Sequence, residues 1–326
     1  MSVCIPTYNR ASFLDEAIAS IAYQATDDTE IVVSDNASTD NTKDIVTRWQ
    51  KKFPRLRYFR WQNNRGFDQN ILNTVELASG EYCWFLGSDD ALTDGSLVEV
   101  KRQLGLSDLV LLDRINMSFD MKAVKGAQKM LNARPGTIFH CMKREDLTNY
   151  FRAAIHLGSL FSYMSSMIVR RKAWLSVPLR SQCIGSGWIH AVKAFDIMRN
   201  KGSLLYSGLP LVLNRTDNDS LFATVGYAKR RLVDLDYHRL ASICFGDDKE
   251  VIQLVDEILA SSYFTWKVLL SDKRSIIISG NTEDILNIQN AYRICFSTRK
   301  DYQIKKTVFQ LAGLRLLNTI RTFFGK

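Results

Sequence analysis

The chain has 326 residues, of which 46% are hydrophobic and 24% charged, an ordinary composition for a water-soluble globular protein. No apolar run approaches the ~18 residues of a membrane-spanning helix, and the first residues lack the basic leader and cleavage site of a signal peptide. The net charge is +9, and the six cysteines are scattered without a C-x-x-C pair. This predicts reduced cytosolic thiols and argues against a zinc site.

Strand-like and helix-like segments alternate over the first ~115 residues, which predicts a parallel sheet with crossover helices. The predicted strands are residues 2–5, 30–34, 56–61, 82–86 and 109–112. The predicted helices are residues 12–23, capped by Ser12, a segment from Thr39 or Asp40 to Lys52, and residues 67–78. Further on, the pattern predicts a strand at 167–169, a helix at 188–200, short strands at 204–206 and 211–213, and helices from about Ala223.

Polar loops follow four of the predicted strands. They are residues 6–10, 35–40, 63–66 and 88–90. Ligands of open α/β sheets bind at the carboxyl ends of the strands, so four polar loops at one edge indicate a binding site. The chain has neither a G-x-G-x-x-G fingerprint nor a P-loop. A phosphate ligand would therefore need another clamp, and Mg²⁺ or Mn²⁺ held by carboxylates is the expected one.

Four segments occur in the order of a known family's motifs: CIPTYNR (4–10), EIVVSDNASTDNT (30–42), NNRGFDQN (63–70) and GEYCWFLGSDD (80–90). On these residues the chain resembles family 2 glycosyltransferases of the GT-A fold. The resemblance implies an α/β catalytic domain over residues 1–222, with a Rossmann-like, mostly parallel sheet flanked by helices. A helical C-terminal region would cover residues 223–326.

Later segments resemble abequosyltransferase-type members, which add a dideoxyhexose during O-antigen assembly. They are LGSLFSYMSSMIVRR (157–171), IGSGWIH (184–190) and LVLNRTDNDS (211–220). The resemblance implies transfer of a sugar, for example a dideoxyhexose such as abequose, from a nucleotide-sugar donor to a lipid-linked oligosaccharide acceptor. This is a step of O-antigen or other surface polysaccharide biosynthesis.

The resemblance also assigns roles around the donor. Ser88, Asp89 and Asp90 occupy the D-x-D position, with Ser in place of the first Asp. Asp90 would bind the Mg²⁺ or Mn²⁺ that bridges the donor diphosphate, and Asp89 would face the ribose or the sugar. Asp35 would accept a hydrogen bond from the base. The other expected donor-site residues are Pro6, Thr7, Tyr8, Arg10, Asn36, Ser38 and Asp68.

Three of these assignments have a structural alternative. Asn36 and Ser38 belong to a loop that could be a turn or helix cap, and Asp68 could simply compensate the dipole at a helix N-terminus.

The catalytic base is the weak point of the resemblance. Many family members carry a Glu-Asp pair on a later helix, whereas residues 185–190 contain no acid. His190 could replace it, as base or as metal ligand, or could be a structural histidine. Asp217 and Asp219 are rival carboxylates. The alternative function is a non-catalytic nucleotide-sugar binder that has lost its base.

The C-terminal segment is strongly basic, with seven Lys or Arg and one acid between Arg299 and Lys326. Helical periodicity places apolar side chains on one face, at Phe309, Ala312, Leu316, Ile320 and Phe323. This face could dock on the catalytic domain. It could instead hold a cytoplasmic, peripheral protein on the inner face of the membrane. Nucleic acid is not an expected partner, because no nucleic-acid-binding motif accompanies the charge.

Overall fold

The computed structural model describes residues 1–218, 229–246, 248–279 and 282–312. The chain divides into two compact units, Met1–Asn218 and Asp219–Lys326. The predicted domain boundary at residues 222 and 223 lies outside the described residues. Within the described ranges, every helix is too short or too polar to cross a bilayer.

The first unit contains a ten-stranded sheet. Its strands are β1 (Ser2–Thr7), β2 (Glu30–Asp35), β3 (Leu56–Arg60), β4 (Tyr82–Phe85), β5 (Ala91–Leu92), β6 (Leu109–Met117), β7 (Val124–Gln128), β8 (Thr137–His140), β9 (Met167–Arg170) and β10 (Ser203–Arg215). Its α-helices are α1 (Ala11–Ala22), α2 (Thr42–Lys52), α3 (Phe67–Leu77), α4 (Ser96–Gln103), α5 (Arg144–Ala153), α6 (Arg171–Ser176) and α7 (Ile189–Arg199).

The strand order is β3-β2-β1-β4-β9-β6-β10-β5, with β7 paired to β6 and β8 paired to β10. The strands β3, β2, β1 and β4 are parallel to one another. Beyond β4 the sheet is mixed, because β9 runs antiparallel to both β4 and β6. This mixed α/β sheet flanked by helices, together with a helical C-terminal region, confirms the predicted fold class.

The buried strands β1, β2 and β4 carry the core of the sheet. Every residue of these three strands is buried, and Val3, Ile31 and Trp84 belong to one continuous apolar cluster. Strands that are covered on both faces read as apolar runs, which is why they were recognisable in the sequence. Their carboxyl ends meet at one edge, where the chain leaves the core at Thr7, Asp35 and Phe85.

Two local predictions were wrong in detail. Ser12 lies inside α1 rather than at its cap, and the Ala11 N–H at the helix start donates to Asp40 Oδ2 from the next loop (2.9 Å). The two short strands predicted at 204–206 and 211–213 form one strand, β10, with register shifts on either side of Pro210. The first difference depends on a side chain from another loop, and the second depends on pairing with distant strands. Neither contact produces a pattern in the local sequence.

The second unit is helical where it is described. Residues 229–235 are helical, followed by Tyr237–Phe245, Lys249–Tyr263, Trp266–Ser279, Thr282–Phe296 and Tyr302–Leu311. Phe264 lies in an aromatic core with Tyr292, Phe296 and Tyr302.

The predicted C-terminal apolar face is only partly within the described residues. Phe309 and Ala312 are each 2% exposed, and the Phe309 ring packs edge-on against Tyr292. They are therefore core residues of the helical unit. Leu316, Ile320 and Phe323 lie outside the described residues.

Candidate active site

The loops that follow β1 and β2 are joined by hydrogen bonds. Asn9 adopts a left-handed conformation (φ 51°), its N–H donates to Ser38 Oγ (2.9 Å), and its Oδ1 accepts from the Thr39 N–H (2.7 Å). Asn readily adopts this conformation because its short polar side chain bonds locally. Tyr8 is 44% exposed, whereas Thr7 is buried and its hydroxyl has no hydrogen-bond partner. An unpaired buried hydroxyl at a sheet edge is a candidate ligand contact.

Asp35 is fully buried beneath these loops. Its Oδ1 accepts the Ser38 N–H (2.8 Å), and its Oδ2 accepts the Tyr58 hydroxyl (2.7 Å). Arg60 Nε lies 3.5 Å from Oδ2. An ionised carboxylate has about four acceptor positions, so further donors are chemically possible. The base contact predicted for Asp35 remains a prediction.

Asn36 ties the β2 loop to the loop after β3. Its Nδ2 donates to Asn64 Oδ1 (2.8 Å), and its Oδ1 accepts the Arg65 N–H (2.7 Å). Asn36 and Ser38 are both buried, so the contacts they show are to neighbouring loops. Their predicted donor contacts, and those of Pro6, Thr7 and Tyr8, stay predictions.

Asp90 lies just beyond β4 and is 5% exposed. Its Oδ2 accepts the Ser165 hydroxyl (2.6 Å), and its Oδ1 accepts the backbone N–H of Arg215 (3.3 Å). Burial, together with the negative charge of Asp89, raises the pKa of Asp90 to about 7. Burial and the neighbouring carboxylate thus disfavour the ionised form of Asp90, and a bound cation would favour it.

Asp89 is held by residues that come from the other end of the domain. Its Oδ2 accepts Asn218 Nδ2 (2.7 Å), and Arg10 Nη1 donates to Asn218 Oδ1 (3.0 Å). Arg215 Nε donates to the Asp89 carbonyl (3.0 Å). Burial raises the pKa of Asp89, and the positive charges of Arg10 and Arg215 oppose that rise.

The surroundings of Asp89 and Asp90 fit a divalent cation. A Cβ on Gly87 would lie 2.8 Å from Asp90 Oδ2 and 3.1 Å from Asp89 Oδ1, so oxygens of both carboxylates approach the same glycine. Hard carboxylate oxygens are ligands that Mg²⁺ and Mn²⁺ prefer, and these ions commonly complete their coordination with water and phosphate oxygens. Two neighbouring carboxylates are the type of donor that such an ion requires.

His190 does not join this pair as a metal ligand. In the described part of the chain, one group of three possible metal ligands lies close together. It consists of His238, Asp256 and Cys295 in the helical unit, and it does not include His190. His190 itself is 1% exposed, and its Nε2 lies 2.8 Å from the Phe161 carbonyl. The predicted metal role of His190 is wrong, because its ring is turned into the protein core.

The predicted role of His190 as a base also conflicts with its surroundings. Burial lowers the pKa of His190 to about 4, so the ring is neutral at physiological pH and a poor proton acceptor. A carbonyl oxygen only accepts hydrogen bonds, so Nε2 carries the hydrogen, and Nδ1 is buried without a partner. His190 is a core histidine next to Phe67 and Trp188.

The two rival carboxylates differ in how much the structure describes. Asp217 is exposed, has a left-handed backbone (φ 60°) and forms an ion pair with Lys125. Its pKa is lowered by this contact. Asp219 lies outside the described residues. Asn218, which lies between them in sequence, contacts Asp89.

Asp68 is buried at the start of α3, and its carboxylate holds another loop. Its Oδ2 accepts the N–H groups of Gly185 (2.7 Å) and Gly187 (3.1 Å), and its Oδ1 accepts that of Ile189 (3.3 Å). Asp68 thus fixes the loop before α7 and satisfies amides at the helix start. The donor contact predicted for Asp68 remains a prediction.

Sequence reasoning missed Ser165, Arg215 and Asn218. They lie 75 or more positions from their aspartate partners along the chain. All three fall in segments on which the family resemblance rests, but no local pattern indicates which residues of those segments turn towards Asp89 and Asp90.

Comparison with known proteins shows the family of the chain. The family model for glycosyl transferase family 2 matches residues 2–172. Abequosyltransferase RfbV of Salmonella typhimurium is 34% identical over 266 residues, covering 79% of this chain and 79% of that protein. A GalNAc(5)-diNAcBac-PP-undecaprenol beta-1,3-glucosyltransferase of Campylobacter jejuni is 45% identical over 98 residues, covering 30% of this chain and 32% of that protein.

Solved structures share the fold at low sequence identity. The structure of S. aureus TarS 1–349 in complex with UDP has a TM-score of 0.62 at 14% identity, covering 98% of this chain and 89% of that chain. The mannosyltransferase PcManGT from Pyrobaculum calidifontis, in complex with GDP-Man and Mn²⁺, has a TM-score of 0.55 at 15% identity, covering 99% of this chain and 86% of that chain. The chain therefore belongs to glycosyl transferase family 2 and is a glycosyltransferase.

Proposed function

We propose that this glycosyltransferase uses a divalent cation to move a sugar from a nucleotide-sugar donor to a lipid-linked acceptor in the biosynthesis of a surface polysaccharide such as O-antigen. The observation that carries the proposal is the Asp89–Asp90 pair at the carboxyl end of β4, where an oxygen of each carboxylate approaches Gly87. The similarity to abequosyltransferase RfbV supports a dideoxyhexose such as abequose as the sugar. The name of the Campylobacter jejuni relative supports a lipid-linked acceptor.

In this proposal Asp90 and Asp89 hold Mg²⁺ or Mn²⁺. When bound, the cation offsets the negative charge that a leaving nucleoside diphosphate gains as the glycosidic bond breaks. Ser165 and the Arg215 backbone N–H fix the two oxygens of Asp90, so the carboxylate is oriented before the donor arrives. Arg10 and Asn218 restrain Asp89 in the same way.

The proton of the acceptor hydroxyl needs another group, since His190 is buried. We infer that a carboxylate of the segment around Asn218 takes it, with Asp217 and Asp219 as the two candidates. Asn218 touches Asp89, and the two candidates are its neighbours in sequence. Asp217→Asn and Asp219→Asn are tested separately. The variant that lacks the base should lose ~10²- to 10⁴-fold in kcat, and the other variant should not.

Cellular placement follows from the proposed acceptor. A lipid-linked acceptor would require contact with the cytoplasmic membrane surface, which suits a peripheral protein. The basic residues between Arg299 and Lys326 suit an anionic surface.

The decisive experiment is a panel of nucleotide-sugars incubated with the purified full chain, with Mg²⁺, Mn²⁺ or EDTA, and scored for release of nucleotide and transfer of sugar. The donor that turns over is then tested with Asp90→Asn. We expect a loss of ~10²- to 10⁴-fold in rate with the fold intact. Asp94→Asn is the matched control, because Asp94 is an exposed carboxylate four residues away.

Full activity in EDTA, or near-normal turnover by Asp90→Asn, would contradict the metal assignment. Binding of nucleotide-sugars without turnover, for every donor and metal, would instead support the non-catalytic alternative.

A further inference from the structure

A continuous series of buried contacts connects Asp68 to Asp90. It begins at the loop that precedes α7, residues 185–189. Three backbone N–H groups of this loop donate to Asp68, which is 3% exposed. An isolated carboxylate would be costly at this depth, and three amide donors offset that cost.

His190 is the next residue in this series of contacts. It follows Ile189 directly, and its Nε2 donates to the Phe161 carbonyl at 2.8 Å. Phe161 has a left-handed backbone (φ 67°), which for an aromatic residue is strained and persists only where the surroundings hold it. The His190 bond is one of the contacts that hold it.

The segment 161–165 ends at Ser165, which contacts Asp90, the proposed metal ligand. The Ser165 hydroxyl donates to Asp90 Oδ2 (2.6 Å) and accepts the Gly87 N–H (2.8 Å), while the Ser165 carbonyl accepts Trp84 Nε1 (2.9 Å). Ser165 thus joins the end of β4 to the segment that begins at Phe161. Displacement of that segment would move the hydrogen-bond donor that orients Asp90.

We propose that Asp68 and His190 are positioning residues, which hold the 185–189 loop and the 161–165 segment in one buried frame that orients Asp90. Neither residue touches the donor in this proposal. It rests on the proposed function only where the reaction is concerned, because the frame itself can be tested without turnover. In this role His190 acts through the hydrogen bond that its Nε2 donates, and it does not accept a proton.

The first test measures amide hydrogen exchange by mass spectrometry on the full chain. Asp68→Asn places an amide NH₂ against backbone donors, and should speed exchange in peptides covering 184–190 by about tenfold or more. His190→Leu removes the donor to Phe161 and should do the same for peptides covering 161–166. Asp113→Asn is the matched control: Asp113 is also buried and accepts a backbone N–H, that of Met130 at 2.8 Å.

The second test uses kinetics with the donor identified by the panel. In His190→Gln, the amide nitrogen takes the place of Nε2 and keeps the donor to Phe161, whereas His190→Leu loses it. We expect His190→Gln to retain kcat within about threefold and His190→Leu to lose about tenfold or more. The concentration of Mg²⁺ or Mn²⁺ giving half-maximal rate should rise in His190→Leu and in Asp68→Asn, but not in Asp113→Asn.

The outcomes separate the possible roles. Equal loss in His190→Gln and His190→Leu would show that His190 takes part in proton transfer, and would overturn the proposal. Altered exchange with unchanged kinetics would also overturn it, because the frame would then be structural only.

If no donor turns over in the wild type, the proposed function fails. The exchange data still decide the frame, since unchanged exchange at 161–166 in His190→Leu would refute it.

Discussion

At the scale of single residues, burial rather than residue type decides the chemistry of the site. His190 and Asp90 are both titratable, and both are nearly inaccessible to solvent. Burial lowers the pKa of the histidine and raises that of the carboxyl, since in each case it disfavours the charged form. The histidine therefore loses its value as a base near neutrality, whereas the Asp90 carboxyl keeps its proton to a higher pH than usual.

The depressed pKa of His190 predicts a pH-dependent stability. Between pH 6.5 and about 4 the unfolded chain protonates His190 and the folded chain does not, so stability present above pH 6.5 is lost as the pH falls. From pH 7.5 to 5 this group should lower the free energy of unfolding by about 2 kcal/mol.

The measurement is urea unfolding of the wild type and His190→Gln at both pH values. Other titrating groups cancel in the difference between the two proteins. A His190 that is exposed in solution would leave the two pH dependences equal, contrary to this prediction.

Gly87 offers a second residue-scale prediction. Gly87→Ala would place a Cβ 2.8 Å from Asp90 Oδ2, closer than van der Waals contact allows. The carboxylate must then move, and we expect transfer to fall by about tenfold or more while the far-ultraviolet circular dichroism stays native. Normal activity at normal metal concentration in this variant would show that transfer does not depend on the position of the Asp90 carboxylate.

At the scale of elements, the end of β10 completes the site. Arg215 is 8% exposed, and its guanidinium donates to the Asp89 carbonyl, to the Phe119 carbonyl and to Glu16 Oε2. It also lies over the Phe13 ring, 4.9 Å from the centroid. One side chain therefore connects the loop after β4 to α1 and to the loop after β6.

Arg215→Lys should consequently affect both stability and activity. A lysine keeps the charge but cannot reproduce the planar fork of donors. We expect a loss of about 1–3 kcal/mol in the free energy of unfolding and a clear fall in transfer rate. Glu16→Gln is the control, because the Glu16 side chain is half-exposed and its ion pair is worth much less. Equal effects of the two substitutions would place the importance in the ion pair instead.

At the scale of the whole molecule, the open question is contact with the membrane. Phe309 and Ala312 belong to the core of the helical unit, so a truncation that removes them would damage that unit. A chain stopped after Ala312 keeps both and removes Arg315, Arg321 and Lys326. Basic residues near an anionic surface contribute about 1 kcal/mol each.

We therefore expect the full chain to float with anionic vesicles, to be released by salt, and to ignore neutral vesicles. The chain stopped after Ala312 should bind anionic vesicles more weakly while its thermal unfolding remains cooperative. Equal flotation of the two chains would assign any membrane contact to another surface, and no flotation of the full chain would contradict the peripheral location.

The sequence by itself determined the parallel half of the sheet and the edge at which its polar loops lie. The apolar runs of β1, β2 and β4 and the polar loops after them are local patterns, and a rule of α/β sheets places ligands where they end. Asp89 and Asp90 could be singled out in this way, because they lie directly after a buried strand.

Only the tertiary structure decided what surrounds these carboxylates. Ser165, Arg215 and Asn218 reach them across 75 to 129 positions of chain, and Asp68 turns towards a loop 117 to 121 positions away. The burial that removes His190 from the list of candidate bases is likewise a property of packing. Spacing and periodicity report which residues share a strand or a helix, whereas hydrogen bonds between distant segments and the pKa values they set depend on how those elements fold together.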